Sequence, residues 1–384
     1  MIRPFFKQVG TNIHDPLWGS VHVRDQLGNN NPEPDLRGQY CFHPWDWLEV
    51  LSDGRVFMCC ATWLPFEIGN ILEQPFDQLW NGEKAQAIRQ SILDGSYKYC
   101  QKKLCPSIQN NRLADIHGVD AHKKNLVTDF PTHINFANDE SCNLSCPSCR
   151  VSKIQYNQGP EYEQRKKIND QLWDSILQAS HAKIMHVHIT GSGDPWGSKI
   201  FREKLWNLDL RRHPNILINF KTNGVMLTKK TWDKMWRIHN NIRKLGVSWD
   251  ACYESTYNIT RRDGNYTQLK KNMKFINDIS TQFPRLELHF DYVVQTCNYK
   301  EIPDFVEMMC RDYPNSKAAQ FTLVSDWGTW TPEVYEWNAI WKNTHPQHQD
   351  LLKVLASMPR IRDTKIRWHN MKGLVNIARS KYSY

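Results

Sequence analysis

The stretch His133-Ile134-Asn135-Phe136-Ala137-Asn138-Asp139-Glu140-Ser141-Cys142-Asn143-Leu144-Ser145-Cys146-Pro147-Ser148-Cys149-Arg150 runs from a short apolar strand straight into a loop holding three cysteines. Thiols at C-x3-C-x2-C spacing can converge on one metal centre, because a tight loop turns its side chains inward. Three thiolates are one short of the four that hold a [4Fe–4S] cubane. A structural site closes its coordination shell, whereas a catalytic site keeps a position open; the argument is made for zinc and carries over to iron. A cluster held in this way has one iron left for a small ligand. A zinc knuckle or a group of buried thiols is the bland alternative for the triplet alone.

Working outward, the sequence from about Pro131 alternates apolar strands with amphipathic helices, the pattern that builds a parallel sheet. After the 133–137 strand, the spacing of Ile168, Leu172, Ile176 and Leu177 predicts a helix over 163–180. Strands are predicted at 184–189, 216–220, 244–249, 286–294 and 319–324, with helices at 201–210, 228–239, 266–283 and up to about Cys310. The fold class is therefore α/β, and six β–α units suit an open partial (β/α)6 barrel over 126–330. In such folds chemistry gathers at the C-terminal ends of the strands, where the cysteine loop lies. Residues 1–125 lack this alternation and predict a small, irregular, cysteine-rich N-terminal domain, with a polar loop at Gly28–Asp35 and a hinge at 123–129. Helices at 332–341 and 349–357 form a C-terminal extension over 331–384, and no internal repeat is visible.

The composition leaves room for chemistry rather than disorder. A chain of 384 residues with 40% hydrophobic content can bury a substantial core, in two domains or in one large domain with an appendage. Neither an apolar run of about 18 residues nor an apolar N-terminal stretch is present, so a soluble, cytoplasmic protein is expected. In that compartment eleven cysteines read as metal ligands or reactive thiols, not disulfides. A net charge of +9 is spread along the chain, without a compact basic patch interleaved with aromatics, which argues against a nucleic-acid partner.

Further motifs sit at the following strand ends. The second strand ends Thr190-Gly191-Ser192-Gly193-Asp194-Pro195, where glycines let backbone approach a ligand and a carboxylate can meet an ammonium. The third ends Lys221-Thr222-Asn223-Gly224, the fourth Ser248-Trp249-Asp250-Ala251, and the fifth Val293-Val294-Gln295 with Asn298 opening a helix. Each alone reads as a turn or a cap. In order and with the triplet, they resemble the radical S-adenosylmethionine (radical SAM) superfamily. The resemblance implies that Cys142, Cys146 and Cys149 hold a [4Fe–4S] cluster whose fourth iron is chelated by S-adenosylmethionine. It implies cofactor-binding roles for Gly191, Ser192, Gly193 and Asp194 around the methionyl amine, and for Asn223 and Ser248 around ribose or carboxylate. Ser148 stands where the family often has an aromatic residue against adenine, and Asp194 where it usually has Glu.

The N-terminal region carries a second cysteine set. Cys41, the hairpin-like Asp53-Gly54-Arg55-Val56-Phe57-Met58-Cys59-Cys60, the segments Ile68-Gly69-Asn70 and Trp80-Asn81, a helix over 83–93, and Cys100 with Cys105 occur in that order. This resembles the auxiliary-cluster region, of SPASM or shorter twitch type, of radical SAM enzymes, here placed before the barrel instead of after it. The resemblance implies that Cys41, Cys59, Cys100 and Cys105 hold a second, fully ligated [4Fe–4S] cluster, with Cys60 competing with Cys59. Zinc also accepts four thiolates, so spacing leaves the metal open. Cys252, Cys297 and Cys310 read as small buried hydrophobes, with a role in substrate chemistry open for Cys252 and Cys297 near predicted strand ends, and His186 and His188 read as satisfied polar core residues.

The implied activity is reductive cleavage of S-adenosylmethionine to a 5′-deoxyadenosyl radical, which abstracts hydrogen from a peptide or small-molecule substrate. The auxiliary cluster accepts or relays an electron, and an external donor such as flavodoxin or ferredoxin supplies one. Two other readings stand beside it: a zinc-stabilised module binding nucleic acid or peptide, and a catalytically silent barrel binding a partner peptide.

Overall fold

The computed structural model describes residues 10–24, 33–180, 183–358 and 365–382; residues 28–32 of the predicted polar loop and the first nine residues lie outside them. Its centre is a ten-stranded sheet. In chain order the strands are β1 (Trp47–Leu51), β2 (Arg55–Phe57), β3 (Gly69–Asn70), β4 (His133–Ala137), β5 (Met185–Ile189), β6 (Ile216–Thr222), β7 (Ile242–Ser248), β8 (Glu287–Val294), β9 (Ala318–Leu323) and β10 (Ile366–Trp368). Their order across the sheet is β10-β9-β8-β7-β6-β5-β4-β1-β2-β3. All neighbours from β10 to β1 pair in parallel, and the short β2 pairs antiparallel with both β1 and β3.

Helix α1 (Glu83–Leu93) follows β3 and precedes the parallel strands from β4 onward. The helices connecting them include α2 (Pro160–Ala179), α3 (Lys199–Asn207), α4 (Lys229–Lys234), α5 (Glu254–Thr260), α6 (Tyr266–Ile279) and α7 (Ile302–Asp312). Several begin where the sequence supplies a cap. The side chains of Ser198, Thr228 and Asn265 accept hydrogen bonds from the backbone N–H groups of Phe201, Thr231 and Gln268, each satisfying an otherwise orphaned donor.

The two faces of the sheet differ. Ile134, Phe136, Val187, Ile189, Ile218, Phe220, Leu245, Val247, Leu288 and Phe290 are buried on the face that meets the helices. Phe136, for example, lies 5.4 Å from Trp173 of α2 and 6.3 Å from Phe201 of α3, ring centre to ring centre. The alternate positions, His133, His186, His188, Asn219, Lys221, Lys244 and Asp291, remain partly or fully accessible. Parallel sheets covered on both faces read as continuous apolar runs; here the alternation leaves one polar face. His186 and His188 therefore depart from the expectation of core residues. They join His133 on the polar face, where His133 Nδ1 lies 3.0 Å from His188 Nε2.

Two other expectations change. Strand pairing crosses both predicted domain boundaries: β1 from the N-terminal region lies beside β4, with Trp47 opposite His133 and Leu51 opposite Ala137. At the other edge β10, within the presumed helical extension, adds a seventh strand after β4–β9 and sits beside β9. The expected hinge at 123–129 is strapped down instead. Trp45 Nε1 donates to Asn125 O, Trp80 Nε1 to Asp129 O, and buried Arg89 to Pro44 O and Leu126 O, at 2.6–2.9 Å. A smaller core of Leu36, Tyr40, Trp45, Ile92, Tyr97, Ile108 and Val119 underlies this region.

Candidate metal centres

At the C-terminal ends of β4–β7 a cavity of about 450 Å³ opens. Its walls include Cys142, Cys146 and Cys149 with all six cofactor-binding residues expected from the sequence: Gly191, Ser192, Gly193, Asp194, Asn223 and Ser248. The cysteine loop is held by its neighbours. Cys142 N donates to Ile154 O (2.9 Å), Ser145 N to Arg262 O (3.1 Å), and Ser145 Oγ to Asp263 Oδ2 (2.5 Å). Cys149 N and Arg150 N both donate to Cys146 O, closing a helical turn that brings the second and third thiols together.

The glycine-rich loop packs directly on this cysteine loop. A Cβ at Gly193 would stand 2.6 Å from the carbonyl oxygens of both Asp139 and Ser141, so any side chain there would push the loops apart. Asp194 is 1% exposed, and its carboxylate is fully occupied. Oδ1 accepts from Trp196 N and Gly197 N (3.0 and 2.9 Å), and Oδ2 from Thr222 Oγ1 and Asn223 N (both 2.8 Å). A carboxylate offers about four lone-pair sites. Asp194 thus ties the end of β5 to the end of β6. The fourth and fifth strand ends are joined in a similar way. Asp250, in the left-handed region at φ 61°, accepts from Val293 N (2.7 Å), while Asn298 Nδ2 donates to Asp250 O (2.9 Å).

Each thiol of the triplet meets one side-chain N–H donor. Asn223 Nδ2 lies 3.7 Å from Cys142 Sγ, Arg261 Nη1 3.7 Å from Cys146 Sγ, and Arg150 Nη2 3.6 Å from Cys149 Sγ. Burial pushes the Cys142 thiol up to about 12, with the nearby Asp194 carboxylate adding to the rise. Burial also raises Cys146, against the opposing pull of Arg261. Arg261 is itself braced by Asp250 (2.6 Å), and its Nε is buried without a partner among the described residues. Neither arginine was singled out in the sequence. Arg150 directly follows the third cysteine and could have been; Arg261 lies 112 positions beyond Cys149, and only folding brings it to the loop.

The second set is enclosed. Burial dominates the upward shifts of Cys41 (to about 11), Cys59 and Cys100, and beyond burial Cys59 feels Cys41, Cys60, Cys100 and Cys105. Cys41 and Cys100 each feel Cys105 as well. The neighbours of Cys60 are instead Glu49, Thr62 and Trp63. The fold therefore gathers Cys41, Cys59, Cys100 and Cys105, and turns Cys60 towards different company. His43, unremarked in the sequence, places Nδ1 3.4 Å from Cys59 Sγ. Four facing thiols resist joint ionisation unless a cationic centre compensates them, which makes loading of such a site proton-releasing. Among the described residues no group of three or more His, Cys, Asp or Glu side chains is arranged to hold a metal ion. The donor sets themselves, three thiols on an open cavity and four in the N-terminal region, fit [4Fe–4S] ligation by number and type.

Of the remaining cysteines, Cys252 is buried as expected, whereas Cys297 and Cys310 are exposed, contrary to expectation. Among the described residues, no helix is long and apolar enough to cross a membrane.

Comparison with known proteins gives two findings. Residues 41–106 match the SPASM family, described as an iron–sulfur cluster-binding domain. A solved structure of a histidine-tagged protein, described as "anSMEcpe with bound AdoMet", aligns at 18% identity, over 66% of this chain and 67% of that one, with a TM-score of 0.42. No curated protein matches. The segment that carries Cys41, Cys59, Cys100 and Cys105 is thus similar to an iron–sulfur domain, and the match spans all four.

Proposed function

We propose that this chain is a radical SAM enzyme whose ten-stranded sheet curls into a partial barrel, with an N-terminal auxiliary [4Fe–4S] cluster held by Cys41, Cys59, Cys100 and Cys105. The observation that carries the reading is the single cavity in which Cys142, Cys146 and Cys149 face the Gly191–Asp194 loop, Asn223 and Ser248. When bound, the cluster and S-adenosylmethionine supply a 5′-deoxyadenosyl radical that removes a hydrogen atom from a peptide or small-molecule substrate. The protein supplies orientation, electrostatics and exclusion of water. Asp194 fixes the loop whose backbone receives the amine. Arg261, which lines the cavity, offers its guanidinium to the cofactor carboxylate, and Ser248 a hydroxyl to the carboxylate or ribose. Trp327 also lines the cavity.

The test is anaerobic reconstitution of the full chain, iron, sulfide and zinc analysis, and assay of 5′-deoxyadenosine with reductant and S-adenosylmethionine. Two cubanes give about eight irons per chain, and 5′-deoxyadenosine accumulates. Zinc without sulfide overturns the reading, and so does a fully loaded protein that never cleaves the cofactor.

A further inference from the structure

The polar face of the sheet carries a constellation that the cofactor site does not use. In register, Ser248, Asp291, Gln320 and Arg367 form one row across β7 to β10, and Asn219, Lys244 and Glu287 a deeper row across β6 to β8. Between the rows Lys221 reaches over β7 to Asp291, Nζ to Oδ2 2.5 Å. A Cβ at Gly246 would stand 3.1 Å from that Oδ2 and 3.4 Å from Lys221 Cδ, so the glycine leaves the space in which the pair meets.

Charges on this face do not balance. The carboxylate of Asp291 is taken by Lys221 and that of Glu287 by Arg243, at 2.8 Å. Lys244 and Arg367 have no carboxylate within ion-pair distance among the described residues. Lys244 is half-buried, and its ammonium is held below the usual lysine range by burial, with Lys221 and Arg367 adding to the push against Asp291 and Glu287. Gln320 is 3% exposed, and its Oε1 is engaged by His369 Nε2 at 2.8 Å, yet its Nε2 donor has no partner among the described residues. A guanidinium and a buried amide N–H are left over on the adjoining β10 and β9, and an ammonium on β7, one strand beyond β8; a buried donor without an acceptor is costly.

We propose that Lys244, Arg367 and Gln320 bind an oxyanion of the substrate, a carboxylate or a phosphate, and so anchor it on the sheet with its reacting end towards the three-thiol cavity. Lys221 and Ser248 line that cavity and also belong to this face, so the two regions are continuous. The inference rests on the proposed function for what happens at the cavity, but not for binding. Guanidinium and ammonium groups recognise both anions through charge-assisted hydrogen bonds.

The test is competitive labelling of lysines by trace fluorodinitrobenzene, read by mass spectrometry on the full chain at constant ionic strength. Inorganic phosphate and N-acetylglutamate are the two probes, with chloride as reference. Either probe, or both, slows labelling of Lys244 several-fold while the surface lysines Lys229 and Lys274 are unchanged, and Arg367→Met removes the protection. Protection by phosphate alone assigns a phosphorylated substrate, and protection by N-acetylglutamate alone a carboxylate one. No protection of Lys244 by either probe, or equal protection at Lys229, overturns the site. Labelling needs neither cluster nor S-adenosylmethionine. Protection without cofactor cleavage therefore counts against the proposed function alone, and cleavage without protection against the anion site alone.

Discussion

The two cysteine sets are built from the same donor atom but in opposite surroundings. Cys142, Cys146 and Cys149 line an open cavity, and each meets one side-chain N–H donor, two of them cationic. Cys41, Cys100 and Cys105 pack against a small aromatic core, with Cys59 near enough to feel all three and His43 beside Cys59. Open coordination next to space for a ligand suits bond-making, whereas closed coordination suits storing or passing an electron. On the proposed function, the number of thiols and what stands opposite the missing one separate the two sites.

Substitutions break this comparison most sharply at the ligands. Cys146→Ala should abolish 5′-deoxyadenosine formation and remove about half the iron of a two-cubane protein, measured by metal analysis and chromatography; retention of cleavage would reassign the loop. Cys59→Ser should also remove about half the iron, whereas Cys60→Ser should leave the iron content unchanged, because the Cys60 thiol sits with Thr62 and Glu49. Equal losses in the two variants would contradict the geometry that separates them.

Smaller effects sharpen the comparison. Asp194→Asn replaces an acceptor of four hydrogen bonds by a group that must offer donors to donors. A loss of about 1–3 kcal/mol in stability follows for a buried polar group left mismatched, read by thermal denaturation, together with weaker S-adenosylmethionine binding. Arg150→Gln removes a cation 3.6 Å from Cys149 Sγ, so the potential of the three-thiol cluster should fall. The fall is about 59 mV for each 1.4 kcal/mol of lost differential interaction in a one-electron couple, measured by redox titration followed by electron paramagnetic resonance. The enclosed cluster should not move.

Acidity offers the mildest test. The folded thiols of Cys41 and Cys60 titrate at about 11, above the ordinary value of 9.0. Between those values the unfolded chain has lost protons that the folded chain keeps, so metal-free protein loses stability as pH rises from about 9 to about 11. Metal loading, which holds the ligand thiols as thiolates, should remove the share due to Cys41. Denaturation at pH 8 and pH 10 with and without metal shows whether it does.

Much of the parallel sheet was legible, because the alternation of short apolar strands with amphipathic helices along β4 to β9 is a local signal. The edges were not. β1 pairs with a strand more than eighty residues away, and β10 is three residues long, too short to carry a pattern. The three cysteines and the six expected cofactor-binding residues on the cavity wall could be read because each lies at or just after a strand end. Arg261 and the full engagement of Asp194 could not, since both depend on which loops the fold lays side by side. Cys59 and Cys60 are neighbours of one type, and only the three-dimensional surroundings distinguish them.

The most direct test is the spectrum of the anaerobically reduced, fully loaded chain before and after addition of S-adenosylmethionine, by electron paramagnetic resonance. The account predicts two cluster signals, of which only the one absent from Cys146→Ala shifts with the cofactor, while the one absent from Cys59→Ser does not change. A shift confined to the Cys59-dependent signal, or none in either, would contradict it.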